Sequence, residues 1–340
     1  MTVMKEVLAL LSEGRDLEAG EMESAVGAIM DGQATAVEMA AFLTALRVKG
    51  ETVTELVAAV KAMRARAVKV DVGGSLLDTC GTGGDGLGTF NISTATAFVA
   101  AAAGARVAKH GNRAASGKVG AADVLEALGA RIDLGPDQAA RCLQETGIAF
   151  LFAPIYHPAV KHVAPVRREL GFRTLFNLTG PLSNPAGADC QLLGLFSADW
   201  LEPVAEALQS LGTRRALVVH GADGSDEISA VGPTLVVEVI DGQRRSYSID
   251  PAEVGVETCS MSELLGSDAE GNAALIREIL AGKESAPARA VQLNAAAAIW
   301  ISGCCGSFED GVAKAASVLA EGLALEVLDS FVGLSQELGG

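Results

Sequence analysis

Residues 76–93 read LLDTCGTGGDGLGTFNIS, an apolar run followed by a glycine loop and then by polar residues. Five of the eight residues from 81 to 88 are glycine. Asn, Ser and Thr, which cap helix N-termini, come next, and a helix is predicted over 95–103. A glycine loop between a strand and a helix presents backbone N–H groups and the positive end of the helix dipole to an anion. The stretch therefore predicts a phosphate site, because a turn that binds nothing does not explain the entropic cost of so many glycines.

Two common phosphate-binding motifs do not account for this loop. Residues 81–86 match G-x-G-x-x-G by letter, but residues 87–122 contain no Asp or Glu to bind a dinucleotide ribose. A Walker A motif fails further on. The spacing from Gly111 to Gly117 is one residue too long, and Val119 stands where a magnesium-binding Ser or Thr is required.

The overall charge and the local charge differ in sign. The chain has 340 residues, which favours about two domains, and its net charge of −16 disfavours nucleic acid or an acidic membrane as partner. Between Gly81 and Lys118 the charged residues are four basic ones and one acidic one: Arg106, Lys109, Arg113, Lys118 and Asp85. A basic island on an acidic protein predicts a small polyanionic ligand.

Cysteine usage and the N-terminal segment indicate a compartment. Six cysteines occur without a C-x-x-C pair or a histidine cluster, which favours free thiols in a reducing cytoplasm. The charged N-terminal segment is unlike a signal peptide, and the apolar runs fall short of the roughly 18 residues of a membrane span.

Residues 1–66 predict a small helical domain. Apolar positions recur at helical spacing over 4–12, 18–30, 36–48 and 53–66. Asp16, Thr35 and Thr52 are predicted caps, and Thr52 with Glu55 fits a capping box. The apolar faces of these helices serve either the core of the domain alone or a dimer contact as well.

The rest of the chain alternates strand and helix patterns up to about residue 330. Strands are predicted at 76–80, 106–108, 148–151, 216–220 and 234–240. Further helices are predicted at 121–128, 136–147, 201–211, 273–281, 288–300, 311–322 and 322–331. This alternation predicts a largely parallel sheet covered by helices, which binds ligands at the carboxyl ends of its strands.

Two more strand ends carry charged groups. Residues 107–118, VAKHGNRAASGK, follow a strand and combine lysine with glycine and hydroxyl residues, which suits phosphate; the alternative is a solvated basic loop. Asp226 and Glu227 follow the strand at 216–220, and adjacent carboxylates there favour Mg²⁺. An acidic surface turn is the alternative for that pair.

A fourth segment suits a carboxylate-bearing acceptor. Residues 172–186 contain NLTGPLSNP, a polar loop stiffened by proline, and Arg167 and Arg168 lie just before it. Arginine is the natural reader of a carboxylate, although an exposed helix position is the alternative for Arg167. His157 and His162 fit structural roles better. Together the segments predict transfer from a pyrophosphate-bearing donor to a small acidic acceptor.

GTGGD with NIST, KHGNR, APVRRELGFRTLFNLTGPLSNPA and DGSDEIS, in this order, resemble the signatures of the anthranilate phosphoribosyltransferase family. The resemblance covers nearly the whole chain. It implies a small N-terminal all-helical domain, residues 1–70, through which a homodimer forms. It also implies a larger α/β domain, residues 71–340, with a largely parallel central sheet as in nucleoside phosphorylases and phosphoribosyltransferases. Part of 160–185 would form the hinge and the acceptor site.

The resemblance also implies the reaction. Anthranilate would react with 5-phosphoribosyl 1-pyrophosphate to give N-(5-phosphoribosyl)anthranilate and pyrophosphate, a step of tryptophan biosynthesis in the cytoplasm. Mg²⁺ would be the cofactor, with two ions per subunit, and neither nucleic acid nor a membrane would be a partner.

Residue roles follow from motif position in the family. The phosphoribosyl donor would contact Gly81, Gly84, Asp85, Thr89, Asn91, Ile92, Ser93, Thr94, Lys109, Asn112, Arg113, Ser116, Gly117 and Ala121. Anthranilate would contact Gly81, His110, Asn112, Arg167 and Gly180. Ser93, Asp226 and Glu227 would hold the metal, and Lys109, Asp226 and Glu227 would be catalytic. Where the family often carries serines after KHGNR, this chain has Gly117, Val119 and Ala121, so backbone amides would replace some hydroxyl donors.

Two other activities are compatible with the same kind of fold. A pyrimidine-nucleoside phosphorylase would use phosphate and a nucleoside, but the Asp226–Glu227 pair and the set of Asn112 and Arg167 favour the anthranilate reaction. A non-catalytic nucleic-acid-binding relative would need a broad basic face, against which the charge of −16 argues.

Overall fold

The chain begins with a block of four helices. In the computed structural model, which describes residues 2–114 and 119–339, these are α1 Val3–Ser12, α2 Ala19–Met30, α3 Ala36–Lys49 and α4 Val53–Arg64. Thr35 and Thr52 cap α3 and α4 as predicted. The predicted cap at Asp16 is wrong. Helix α2 starts after Glu18, whose N–H donates to Glu21, while Asp16 binds the Lys49 ammonium at 2.7 Å.

Glu55 is the polar centre of this block. Its side chain is fully buried, and its carboxylate accepts hydrogen bonds from Thr52 N at 2.8 Å, Leu17 N at 2.9 Å and Lys49 Nζ at 3.0 Å. The Thr52–Glu55 capping box is thus extended to the segment before α2 and to the end of α3. A buried carboxylate that satisfies three donors leaves each of them unpaired when it is removed.

Glu55→Ala should lower the free energy of unfolding by about 3 kcal/mol, because buried donors and a nearly buried ammonium lose their acceptor. Urea denaturation followed by circular dichroism measures the change. Glu38→Ala is the matched control, since Glu38 completes the same box with Thr35 at the surface of α3 and its loss should cost much less. Equal losses for the two variants would contradict the role given to Glu55.

A single sheet of seven strands forms the centre of the larger domain. The strands are β1 Leu77–Gly81, β2 Val107–Gly111, β3 Ile148–Phe152, β4 Cys190–Gly194, β5 Arg215–Gly221, β6 Thr234–Ile240 and β7 Gln243–Ile249. Their order is β3-β2-β1-β4-β5-β6-β7, parallel from β3 to β5 and antiparallel at β6 and β7. Leu77 is in register with both Val107 and Cys190, so the ends of β1, β2 and β4 lie side by side.

The sheet confirms the predicted largely parallel α/β architecture, but two strands were not predicted. β4 is a five-residue, fully buried run after a Pro- and Gly-rich loop, and periodicity alone does not identify so short an apolar segment. β7 is a polar edge strand. The Asp241-Gly242 turn, with φ of 48° and 79°, joins it to β6 and is the hairpin signal that the sequence offered.

Helices cover both faces of the sheet. They are α5 Ile92–Ala102, α6 Ala121–Ala127, α7 Pro136–Thr146, α8 Ala153–Tyr156, α9 Ala164–Leu170, α10 Leu175–Thr179, α11 Leu201–Ser210, α12 Ala269–Leu280, α13 Ala286–Ile301, α14 Phe308–Ala320 and α15 Leu323–Leu338. One core gathers α5 and α12 to α15 against the sheet, and the alanines of α5 and α13 let those two buried helices approach closely.

The second core joins the helical block to the other face of the sheet. Leu193 of β4 and Val218 of β5 belong to the same cluster of buried side chains as Phe42, Leu56 and Leu208. Helices α9 and α10, which follow the third strand, pack against α3 and α4. Within residues 2–114 and 119–339, every helix is too short or too polar to span a lipid bilayer.

Candidate active site

The glycine loop connects the end of β1 to the first turn of α5. Gly83, Gly84, Gly86 and Gly88 all have positive φ, between 66° and 82°, a conformation that L side chains rarely adopt. Two backbone hydrogen bonds join the far end of the loop to residues 264–266. Phe90 N donates to Leu264 O at 3.0 Å, and Gly266 N donates to Gly88 O at 2.8 Å. The loop therefore depends on glycine for its shape, and its far end is anchored by residues 264–266.

Asp226 and Glu227, in the segment after β5, reach this loop directly. Gly83 N donates to Asp226 Oδ2 at 2.7 Å, and Ser93 N, in the first turn of α5, donates to Glu227 Oε1 at 3.2 Å. The approach needs glycine at two strand ends. A Cβ on Gly81 would lie 2.3 Å from Asp226 Oδ2, and a Cβ on Gly194 would lie 1.5 Å from Asp226 O. The sheet thus brings together the two motifs that the sequence assigned to phosphate and metal.

The carboxylate pair is electrostatically unsatisfied by itself. Burial raises the pKa of Asp226, and the nearby charge of Asp85 raises it further. Burial and the charge of Asp226 raise the pKa of Glu227 well above its usual value, against the opposing effect of Lys109. Negative groups held together in this way favour a cation between them.

Mg²⁺ fits this donor set. Within the described part of the chain, no group of three or more His, Cys, Asp or Glu side chains is arranged to hold a metal. Mg²⁺ typically takes one or two carboxylates and completes its shell with water and substrate phosphate oxygens. The pair beside a phosphate-type loop has that composition.

Lys109 lies beneath the cleft rather than in the open. Its side chain is 3% exposed, and its ammonium donates to Thr79 O and, at 3.2 Å, to Ser93 Oγ. Burial lowers its pKa, while the charges of Asp78 and Glu227 act in the opposite direction. Lys109 therefore places a buried positive charge beside the Ser93 hydroxyl, at the first turn of α5.

His110 and Asp78 form a buried link from β1 and β2 to the proline-stiffened segment. Asp78 accepts from His110 N at 3.1 Å and from Asn184 Nδ2 at 2.8 Å, and burial raises its pKa to about 6. The His110 ring lies 5.1 Å from that of His157, whose Nε2 is 2.8 Å from Ser183 O. The Nε2 of His110 has no partner among the described residues.

Burial lowers the pKa of His110 to about 3, and the neighbouring His157 and Lys109 act in the same direction. The imidazole is thus neutral at physiological pH. A neutral ring with one free nitrogen can donate or accept a hydrogen bond to a ligand but contributes no charge.

The depressed pKa of His110 predicts a loss of stability in acid. As pH falls through about 6.5, His110 gains a proton in the unfolded chain but not in the folded protein. The contribution of His110 to the free energy of unfolding is therefore fully present above pH 6.5 and is lost as pH falls toward 3. His110→Gln should reduce the fall in unfolding free energy between pH 6.5 and 5 by about 2 kcal/mol. Urea denaturation across that range measures it, and the values at pH 8 give the pH-independent cost of the substitution. A wild-type slope in the variant would contradict a buried neutral His110.

Arg167 projects from α9 as a half-buried cation. Its Nη2 lies 3.4 Å from Asn177 Oδ1 and its guanidinium 5.6 Å from the centre of the Phe176 ring. Burial lowers its pKa, and among the described residues no carboxylate forms an ion pair with it. Gly180 follows α10, the helix that carries Asn177. An arginine without a counterion is suited to a ligand carboxylate.

Arg173 is a contact that the sequence did not single out. Its guanidinium donates to Gly84 O and stacks 4.2 Å from the centre of the Phe196 ring. It therefore ties the segment between α9 and α10 to the glycine loop. The sequence indicated Arg173 only through its place within residues 172–186. It does not show that Arg173 faces the end of β1.

The other residues predicted to contact the phosphoribosyl donor lie between the glycine loop and the first turn of α5. Asn91 accepts from Asn272 Nδ2 and donates to Val119 O, both at 3.1 Å. Thr89 pairs with Leu265, and Ile92 is buried. The Thr94 hydroxyl is buried without a partner in the described residues. The structure thus brings these residues together with Ser93 at the start of α5.

In the lysine loop, Arg113 forms ion pairs with two carboxylates of α6. This guanidinium binds Glu126 at 2.6 and 2.9 Å and Asp123 at 2.7 Å, so its charge is already balanced. Asn112 is exposed and its carbonyl accepts from Ala122 N, next to Ala121 at the start of α6. Ser116 and Gly117 lie outside the described residues.

The fold and the site together define a class of glycosyltransferase. Its features here are the glycine loop, the carboxylate pair and a helical block beside a mostly parallel sheet. The model of the glycosyl transferase family helical bundle domain matches residues 5–67, and that of the family's a/b domain matches residues 73–325. The enzyme from Rubrobacter xylanophilus named anthranilate phosphoribosyltransferase is 52% identical over 339 residues, 99% of each chain. The chain belongs to the anthranilate phosphoribosyltransferase family.

Solved structures agree with this assignment. Anthranilate phosphoribosyltransferase from Thermus thermophilus superposes with a TM-score of 0.93 at 46% identity, over 99% of this chain and 100% of that one. The Saccharomyces cerevisiae enzyme in complex with PRPP and Mg superposes with a TM-score of 0.91 at 27% identity, over 98% of each chain.

Proposed function

We propose that this chain transfers the 5-phosphoribosyl group from 5-phosphoribosyl 1-pyrophosphate to anthranilate, releasing pyrophosphate, in tryptophan biosynthesis. The observation that carries the proposal is the meeting of the glycine loop with a buried carboxylate pair, through Gly83 N and Asp226 Oδ2. The relatives bear the name of this activity, and the yeast structure holds PRPP and Mg. Arg167 would bind the carboxylate of a small aromatic acid, and the neutral His110 would offer it a hydrogen bond.

The proposed donor site is the glycine loop with the first turn of α5. Backbone N–H groups of the loop and the N-terminus of α5 would bind the pyrophosphate, and Lys109 would add positive charge from below. Asp226, Glu227 and Ser93 would hold Mg²⁺, with two ions per subunit. When bound, Mg²⁺ neutralises the charge that develops on the departing pyrophosphate.

The proposed acceptor site lies between His110, Arg167 and Gly180, with Asn112 at its edge. An arylamine is neutral near pH 7, so its nitrogen attacks without a strong general base, and the main task of these residues is to position it behind C1 of the ribose. Arg167 would hold the carboxylate of anthranilate. His110 would face the ring as a neutral hydrogen-bonding group.

The wider organisation is proposed on the same basis. Residues 1–70 would form the dimerisation domain and 71–340 the donor-binding domain, with part of 160–185 as the hinge. Exposed valines on α1 and α3, Val3, Val37 and Val48, support a homodimer contact there. All six cysteines are free thiols, which supports a cytoplasmic location.

Purified protein should consume anthranilate, seen as loss of its fluorescence, only when 5-phosphoribosyl 1-pyrophosphate and Mg²⁺ are both present, and EDTA should stop the reaction. Asp226→Asn and Glu227→Gln should each lower kcat by about 10²–10³, because electrostatic stabilisation of the leaving group is lost. Activity within tenfold of wild type in these variants would contradict the metal assignment. Phosphorolysis of a pyrimidine nucleoside without anthranilate turnover would instead favour the phosphorylase activity.

Arg167→Ala should raise the KM for anthranilate by about tenfold to a hundredfold while kcat changes less, because a charge-assisted hydrogen bond to the substrate carboxylate is lost. Initial rates at saturating donor measure it. Arg168→Ala is the matched control, since this neighbouring arginine of α9 is exposed and should leave the KM unchanged. An unchanged KM in Arg167→Ala would make Arg167 a structural residue.

A further inference from the structure

Asn294 is a polar side chain in one of the least polar places of the molecule. It lies in the middle of α13, is fully buried, and is followed by the four alanines 295–298, which are also fully buried. Burial of an amide costs free energy unless its polar atoms find partners. Its position therefore calls for an explanation in terms of the hydrogen bonds it makes.

Both polar atoms of Asn294 bind the backbone of Ile228. Ile228 N donates to Asn294 Oδ1 at 2.9 Å, and Asn294 Nδ2 donates to Ile228 O at 2.9 Å and to Ala290 O of its own helix at 2.9 Å. This two-way pairing replaces the partner strand that Ile228 lacks, since residues 222–230 belong to no strand of the sheet. The amide thereby fixes the backbone directly after Glu227.

The Asp223 carboxylate holds together the two ends of the segment 222–230, which we call the turn after β5. Asp223 accepts from the hydroxyls of Ser225 and Ser229, both at 2.6 Å. On its other side, the segment hydrogen-bonds to the glycine loop and the start of α5 through Gly83 N and Ser93 N, and the backbone of Asp226 packs against Gly194 at the end of β4. Asn294 hydrogen-bonds the middle of this segment to the buried helix α13, in addition to the packing of the buried Ile228 side chain against the same core.

We infer that Asn294 is a positioning residue for the Asp226–Glu227 pair and that it sets the affinity of the site for divalent metal. The inference rests on the proposed metal role of the pair. The carboxylates of Asp226 and Glu227 repel each other. They stay together only if the backbone that carries them is fixed to the core. Asn294 provides this fixation without touching either carboxylate or the substrates.

Asn294→Leu should raise the Mg²⁺ concentration for half-maximal activity about tenfold or more, as expected when a residue behind a metal ligand is lost. Mn²⁺ binding in the presence of 5-phosphoribosyl 1-pyrophosphate, followed by electron paramagnetic resonance, should weaken to the same degree, and the KM for anthranilate should not change. Amide hydrogen exchange at Ile228 in metal-free protein should accelerate. Asn294→Ala, which removes the amide from an alanine-rich helix without adding bulk or charge, should show the same changes and serves if the Leu variant does not fold.

Gln292→Leu is the control. Gln292 lies on the same helix and its Nε2 donates to Val312 O at 3.1 Å, on the side of α14. Its replacement also removes one amide from α13, and we expect the Mg²⁺ concentration for half-maximal activity to stay unchanged.

Three results would overturn the inference. Unchanged exchange at Ile228 in both Asn294 variants would show that the amide does not anchor the turn. Faster exchange with unchanged Mg²⁺ and Mn²⁺ affinity would show that the anchor does not serve the pair. Wild-type protein that binds no Mn²⁺ and needs no Mg²⁺ would overturn the metal assignment itself, an outcome recognised without any variant.

Discussion

Two buried carboxylates that face a glycine loop are the constraint on which the rest of the structure depends. Asp226 sits so close to the ends of β1 and β4 that only glycine fits at positions 81 and 194. Its oxygen receives the N–H of Gly83, in a loop that itself requires positive φ. The site thus consists of backbone on one side and concentrated negative charge on the other. A magnesium complex of a diphosphate is complementary to that combination.

The layers around the sheet serve to hold this arrangement. Alanine side chains allow α5 and α13 to pack closely, which brings the N-terminus of α5 to the loop and Asn294 to the turn after β5. On the other face, the helical block shares a core with the strands and with α9 and α10. The proposed acceptor site includes Arg167 of α9 and therefore rests partly on the N-terminal helices.

The sequence was informative where the determinants are local. The strand, glycine loop and helix of residues 76–102 depend on neighbours in the chain, as do the capping boxes of α3 and α4, and the structure confirms these elements. β4 was missed because its five buried residues carry no period, and β7 because its strand character comes from pairing with β6. Contacts such as Ser93 N to Glu227, 134 residues apart, follow from strand order, which the sequence does not specify. The partners of Arg173 and Asn294 and the ion pairs of Arg113 are of the same kind, and so required the fold.

The polar edge of the sheet has a consequence for how copies of the chain meet. β7 carries Gln243, Arg244 and Arg245 at its start and is exposed along most of its length. An open edge with unpaired backbone groups invites another chain to add as a further strand, and charged side chains along it oppose such growth. Lateral extension into a continuous sheet, the route to fibrous aggregates, is disfavoured at this border. Any association of folded copies is therefore left to surfaces other than this edge.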